Sequence, residues 1–142
     1  MPARDDGDII NAFNEKLRTY DGGSWNAKTE FQNDKNFNPP SNSTYLRTVT
    51  TFQTPRLIGQ GPQGHYKILG TYYINIMVPK GGPLVPAYNL AGGLVDHFKR
   101  GITLTKNSQR VTIDSSYYGL QAEDDDHVLI SVSVDFYTYT LY

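Results

Sequence analysis

Apolar positions along the chain switch between a helical and a two-residue period, and the switches delimit its elements. Ile10, Phe13 and Leu17 fall at spacings of three and four, which predicts a short N-terminal helix. Asp5, Asp6 or Asp8 can cap it, and the acidic cluster suits the positive end of its dipole, while Gly22-Gly23 ends it. Trp25 to Phe31 reads as a brief strand, followed by a polar loop through Pro39-Pro40. Tyr45 to Phe52, rich in β-branched and aromatic residues, reads as a strand stopped by Pro55. Between Gly70 and Val78 the residues Tyr72, Ile74, Ile76 and Val78 alternate with Tyr73, Asn75 and Met77, the period of a sheet with one buried face.

Pro79-Lys80-Gly81-Gly82-Pro83 breaks that strand. The helical period then returns from about Leu84 to Lys99, with Ala87, Leu90, Ala91, Leu94, Val95 and Phe98 on one stripe and Gly101 as the stop. Lys99 and Arg100 suit the negative end of that dipole. The Gly92-Gly93 pair weakens the helix, and close packing against the sheet is the expected reason. Two closing strands follow, one with Val111 and Ile113, the other with Val128, Ile130, Val132, Val134 and Phe136. The second carries Ser131, Ser133 and Asp135 on its other face and turns aromatic at Tyr137 and Tyr139. This order predicts one α+β domain over residues 1–142, an antiparallel or mixed sheet with both helices on one face.

Composition narrows the function classes. The net charge of −1 argues against a broad basic face for gripping nucleic acid. Cysteine is absent, so disulfides and thiolate metal sites are excluded. Apolar runs are far shorter than the roughly 18 residues of a bilayer span. The polar start Met1-Pro-Ala-Arg-Asp-Asp does not read as a secretory leader, so no membrane association is expected. With 11 tyrosines and only 19% charged residues, two readings stand: tyrosine as interface anchor, or tyrosine as strand former.

Candidate motifs are few. Gly59 to Gly64 spells G-x-G-x-x-G, but Pro62 sits inside it and a strand rather than a helix follows, so a hairpin turn is the better reading. His65, His97 and His127 lack spacing that would bring them together, and are expected to face solvent. The acid run Glu123 to Asp126 fits a solvated turn, a cation site, or a negative rim that repels passing phosphates. Asn42-Ser43-Thr44 is a glycosylation sequon by letters alone. Ser24, Ser108, Ser115 and Ser116 have no nucleophile-elbow context. No catalytic, cofactor or metal constellation emerges, and the chain does not read as an enzyme.

The stretch Phe31 to Pro40, with its Phe37-Asn-Pro39-Pro40 loop, leads into Tyr45-Leu46-Arg47; the glycine turn follows, then Gly70 to Pro79 and the Lys80-Gly81-Gly82 turn before the Ala91–Leu94–Phe98 helix. In that order these elements resemble the phage tail terminators related to the lambda minor tail protein U group. The tyrosine-rich C-terminal strand and the Glu123–Asp126 run depart from the family pattern.

The resemblance implies a structural virion protein, assembled in the host cytoplasm and placed at the head-proximal end of the tail. It implies a cyclic homo-oligomer, six-fold in the family, that caps the tube, stops its growth and receives the head–tail connector or neck protein. DNA would cross its lumen without sequence readout, and no cofactor is implied. On that reading the Arg56–Tyr66 loop, through Arg56, Leu57, Gln60, Gln63, His65 and Tyr66, is expected at a contact between subunits or rings. Tyr137 and Tyr139 are expected at a seam between subunits, or alternatively in an extended aromatic core, and Asp124, Asp125 and Asp126 at the channel rim. A neck protein shares the same ring logic. A small cone-shaped α+β enzyme would instead need a pocket lined by Tyr, His and Asp.

Overall fold

Acid in the first turn (Asp6, Asp8) and base in the last (Lys16, Arg18) match the dipole of α1, Asp6–Arg18. In the computed structural model, which describes residues 6–32, 37–40, 42–54, 56–58, 65–123 and 126–141, its inward stripe is Ile9, Phe13 and Leu17, spaced by four. Ile10, expected on that stripe, is only half-buried. The helix stops at Arg18, before Gly22-Gly23, where the Thr19 hydroxyl donates to the Lys16 carbonyl at 2.7 Å. Trp25 to Phe31 is not one strand: a short 3-10 turn, Asn26–Lys28, precedes the two-residue β1, Thr29–Glu30.

The remaining strands are β2 (Tyr45–Phe52), β3 (Arg56–Ile58), β4 (His65–Pro79), β5 (Thr103–Lys106), β6 (Gln109–Glu123) and β7 (His127–Leu141). They form one seven-stranded sheet ordered β1-β2-β4-β7-β6-β5, with β3 pairing β4. Only β1 with β2 is parallel. The 15-residue strands β4 and β7 pair along their whole length, a central ribbon of roughly 50 Å.

β4 begins five residues before its expected start at Gly70. The strand runs through this glycine because the Phe136 ring of its cross-strand partner packs over it. A Cβ there would meet the ring at 2.5 Å and the Thr51 carbonyl at 2.6 Å. β5 was not expected, and β6 carries two register shifts, at Ile113/Ser115 and Leu120/Ala122, which bend it and put its alternation out of phase.

Helix α2, Val85–His97, starts with Pro86 in its first turn and buries Ala87, Leu90, Ala91 and Leu94. Both helices lie on one face of the sheet. There the side chains Tyr72, Ile74, Ile76 and Val78 of β4 and Ile130, Val132, Val134 and Phe136 of β7 join those of α1 and α2 in one core. Phe13 is its hub, stacked on Tyr72 at 4.9 Å and tilted against Phe136 at 4.9 Å and Phe98 at 6.3 Å. The expected two-helix α+β architecture is thus observed.

The glycine pair in α2 has a different cause from the expected one. Space is open around Gly92, and Gly93 faces not the sheet but Tyr20, whose hydroxyl occupies the place of a Cβ.

Candidate interaction surface

The helices cover one face of the sheet, and the other stays open. Strand alternation puts Thr71, Tyr73 and Asn75 of β4 and Ser131, Ser133 and Asp135 of β7 on this open face. Its centre is a polar ladder: the Asp135 carboxylate accepts from the Thr71 hydroxyl at 2.8 Å and the Ser115 hydroxyl at 3.0 Å, and the Ser131 hydroxyl donates to Asn75 Oδ1 at 2.8 Å. Ser133, only 4% exposed, sits at the register position between Tyr73 and Tyr117. A face with its hydroxyls and carboxylate paired to each other is rigid and wettable, not an apolar core waiting for a lid.

Toward the C-terminal end of β7 the surface turns aromatic and cationic. Tyr137 and Tyr139 meet edge to face at 5.8 Å, and Lys67 Nζ lies 4.9 Å above the Tyr137 ring. Both tyrosines lie outside the hydrophobic core, and Tyr139 is exposed. They flank an open groove of about 810 Å³ lined also by Thr103, Ser108, Arg110 and Thr112. Among the described residues none of its lining is His, Asp or Glu, the groups the enzyme reading required.

The Arg56–Tyr66 segment is not one long loop. Its ends form a hairpin, with Arg56 opposite Lys67, Leu57 opposite Tyr66 and Ile58 opposite His65. Tyr66 is half-buried, whereas Arg56, Leu57 and His65 are placed by their backbone. Gln60 and Gln63 lie outside the described residues, as do Asp124 and Asp125. Asp126 is exposed, and its carbonyl accepts the Lys80 amide at 2.8 Å. The glycine motif at 59–64 also lies outside the described residues, but it joins two antiparallel strands, so no helix N-terminus follows to hold a phosphate.

Two of the three histidines, His97 and His127, correct the sequence reading, which expected solvent. His97 is half-buried: its Nε2 lies 2.6 Å from the Lys16 carbonyl and 3.2 Å from the Thr19 hydroxyl, and its ring meets Tyr20 edge-on. It joins the C-terminal ends of the two helices. His127 is half-buried against Tyr45, and the two rings meet edge to face at 5.6 Å. The Tyr20 hydroxyl in this cluster titrates above the ordinary tyrosine range, through burial first and then the charges of Asp21 and Asp96.

One feature was missed in the sequence. Tyr117 and Tyr118 are 55% and 44% exposed on β6, and consecutive strand residues point to opposite faces, so one tyrosine lies on each side of the sheet margin. The signal was the Tyr-Tyr doublet itself, within a stretch without apolar alternation.

A family model for phage tail terminator proteins matches residues 8–136, spanning both helices and almost the whole sheet. This chain belongs to the phage tail terminator family. The family's role is structural, in completing the phage tail. A solved structure aligned over 99% of each chain has a TM-score of 0.68 at 21% identity, a likeness that speaks for the fold. No curated protein matches the chain. Membership of this terminator family implies association with other phage tail or head components.

Proposed function

We propose that the chain forms a closed ring, six-fold as in its family, on the head-proximal end of the tail tube. The ring stops tube growth and offers its outer face to the head–tail connector, while DNA passes its lumen without sequence readout. Membership of the terminator family carries this reading. The open face supports it: hydroxyl and amide groups, one paired carboxylate and a rim of tyrosines suit contact with other protein subunits. The Arg56–Tyr66 hairpin, with Arg56, Leu57, Gln60, Gln63 and His65, together with Tyr137 and Tyr139, is proposed as the contact region between subunits or rings. Asp124, Asp125 and Asp126 are proposed for the lumen rim, where carboxylates keep DNA phosphates from sticking. Tube protein polymerised with and without the purified chain, and measured by electron microscopy, tests the reading. Capped tubes of limited length are expected, and unchanged tube growth would contradict it.

A further inference from the structure

Three neighbouring strands, β4, β7 and β6, bring two cations to the tyrosine end of the open face. Lys67 of β4 stands directly opposite Tyr139 of β7, and its Nζ lies 4.9 Å above the Tyr137 ring. On the other side of β7, Thr112 of β6 stands opposite Tyr137, and Arg110, two residues along, shares its face. The groove of about 810 Å³ opens here, large enough to hold several side chains of a partner. Arg110 is exposed, and among the described residues its guanidinium takes no hydrogen bond or ion pair; only its backbone carbonyl is bonded, by the Thr138 hydroxyl. The Lys67 ammonium likewise meets a ring and no acid among the described residues.

The charged groups around the groove are otherwise engaged or stand outside its lining. Asp135, two residues before Tyr137 on the same face, accepts the Thr71 and Ser115 hydroxyls. Asp114 is exposed where β6 shifts register, between Ile113 and Ser115. Lys106, the nearby base on β5, is held by Glu15 of α1 at 2.6 Å. The lining therefore offers positive charge, the hydroxyls of Thr103, Ser108 and Thr112 and two aromatic rings, but no carboxylate among the described residues.

We propose that this groove receives an acidic segment of another virion protein, with one carboxylate on the Arg110 guanidinium and a second beside the Lys67 ammonium. The proposal rests on the reading above of Tyr137 and Tyr139 as part of a contact region, and gives that region its partner's chemistry. A planar guanidinium matches a carboxylate through two parallel hydrogen bonds, which strengthen as the partner covers them. The tyrosine rings give contact area to the methylene stems of glutamate side chains. Charge complementarity favours protein over nucleic acid: two cations balance two carboxylates, whereas a run of phosphates along this face would meet Asp135. A second copy set groove to groove would press like charges together.

The test is an NMR titration of the full chain with an acetylated, amidated peptide of four glutamates, against the same peptide made of four glutamines. The glutamate peptide is expected to shift the Tyr137, Tyr139 and Arg110 signals. It should bind at least about tenfold more weakly at about 1 M salt than at about 0.1 M, as screening shortens from roughly 10 Å to 3 Å. Arg110→Gln and Lys67→Gln are each expected to weaken binding about two- to fivefold. Lys28→Gln, at the opposite margin of the sheet, should leave it unchanged. Thermal melts check that the variants are folded. Equal binding of the two peptides, shifts confined to residues outside the groove, or groove variants that bind as well as the unaltered chain overturn the proposal. So does a duplex oligonucleotide that shifts the same signals when the peptide does not, which reassigns the groove to phosphates. Shifts of these signals that grow with protein concentration alone reassign it to a second copy. Tube capping by the unaltered chain, measured in parallel, separates the two levels. Capping without glutamate binding fails the groove and leaves the ring reading; glutamate binding without capping leaves the groove and fails the ring reading.

Discussion

The Tyr72 hydroxyl, buried at the centre of the sheet, donates a 2.7 Å hydrogen bond to Asn14 Oδ1 on α1. Asn14 is only 8% exposed, so each group is the other's replacement for water. Tyr72→Phe leaves Asn14 without this donor and is expected to cost about 1–3 kcal/mol in urea unfolding. Asn14→Leu should cost a similar amount, and the double variant clearly less than the sum. Strict additivity would show that the two groups do not depend on each other.

The same burial sets an alkaline limit. Tyr72 titrates well above the ordinary value of 10.0, chiefly through burial, with the Thr48 hydroxyl and the Arg18 charge pulling partly back. The sign follows from linkage: above about pH 10 the unfolded chain releases a proton that the folded chain retains. Stability is therefore expected to be unaffected by this group below pH 10 and to fall with rising pH beyond it. Denaturant midpoints from pH 8 to 11.5 measure this, and Tyr72→Phe should flatten the alkaline fall.

Gly70 lies under the Phe136 ring and against the Thr51 carbonyl. Neither can withdraw easily, because Phe136 is wedged against Phe13 at 4.9 Å and Thr51 is in a paired strand. Gly70→Ala is expected to destabilise by about 1–3 kcal/mol. A thermal melt unchanged from the unsubstituted chain would show that Phe136 has room to move.

Neighbouring glycines in α2 should respond in opposite ways. Gly92→Ala enters open space and is expected to stabilise by up to about 1 kcal/mol through helix propensity alone. Gly93→Ala displaces Tyr20, breaking its edge contact with His97, so the propensity gain is lost. The ring-current shift of His97 in NMR spectra reports this: retained in the first variant, lost in the second.

How much of this was legible depends on how far each signal is local. β2 was read to the residue, because Tyr45 to Phe52 is uniformly β-forming and bounded by loop residues. Helix α2 was read to within two residues, since its stripe and flanking breakers agree. The inward position is Ile9 rather than Ile10: adjacent isoleucines leave the helical phase ambiguous in the sequence, and packing against the sheet decides it. β5 was missed because its four residues carry a single apolar side chain, Leu104. The extent of β6 was missed because two register shifts reset its alternation.

The central claim, a ring that ends the tube, is most directly met by one measurement: electron microscopy of tail tubes assembled with a graded amount of this chain. The account predicts that tube length falls as the chain is added, with a ring of extra density at one end only. Tubes of unchanged length, or density spread along their sides, would contradict it.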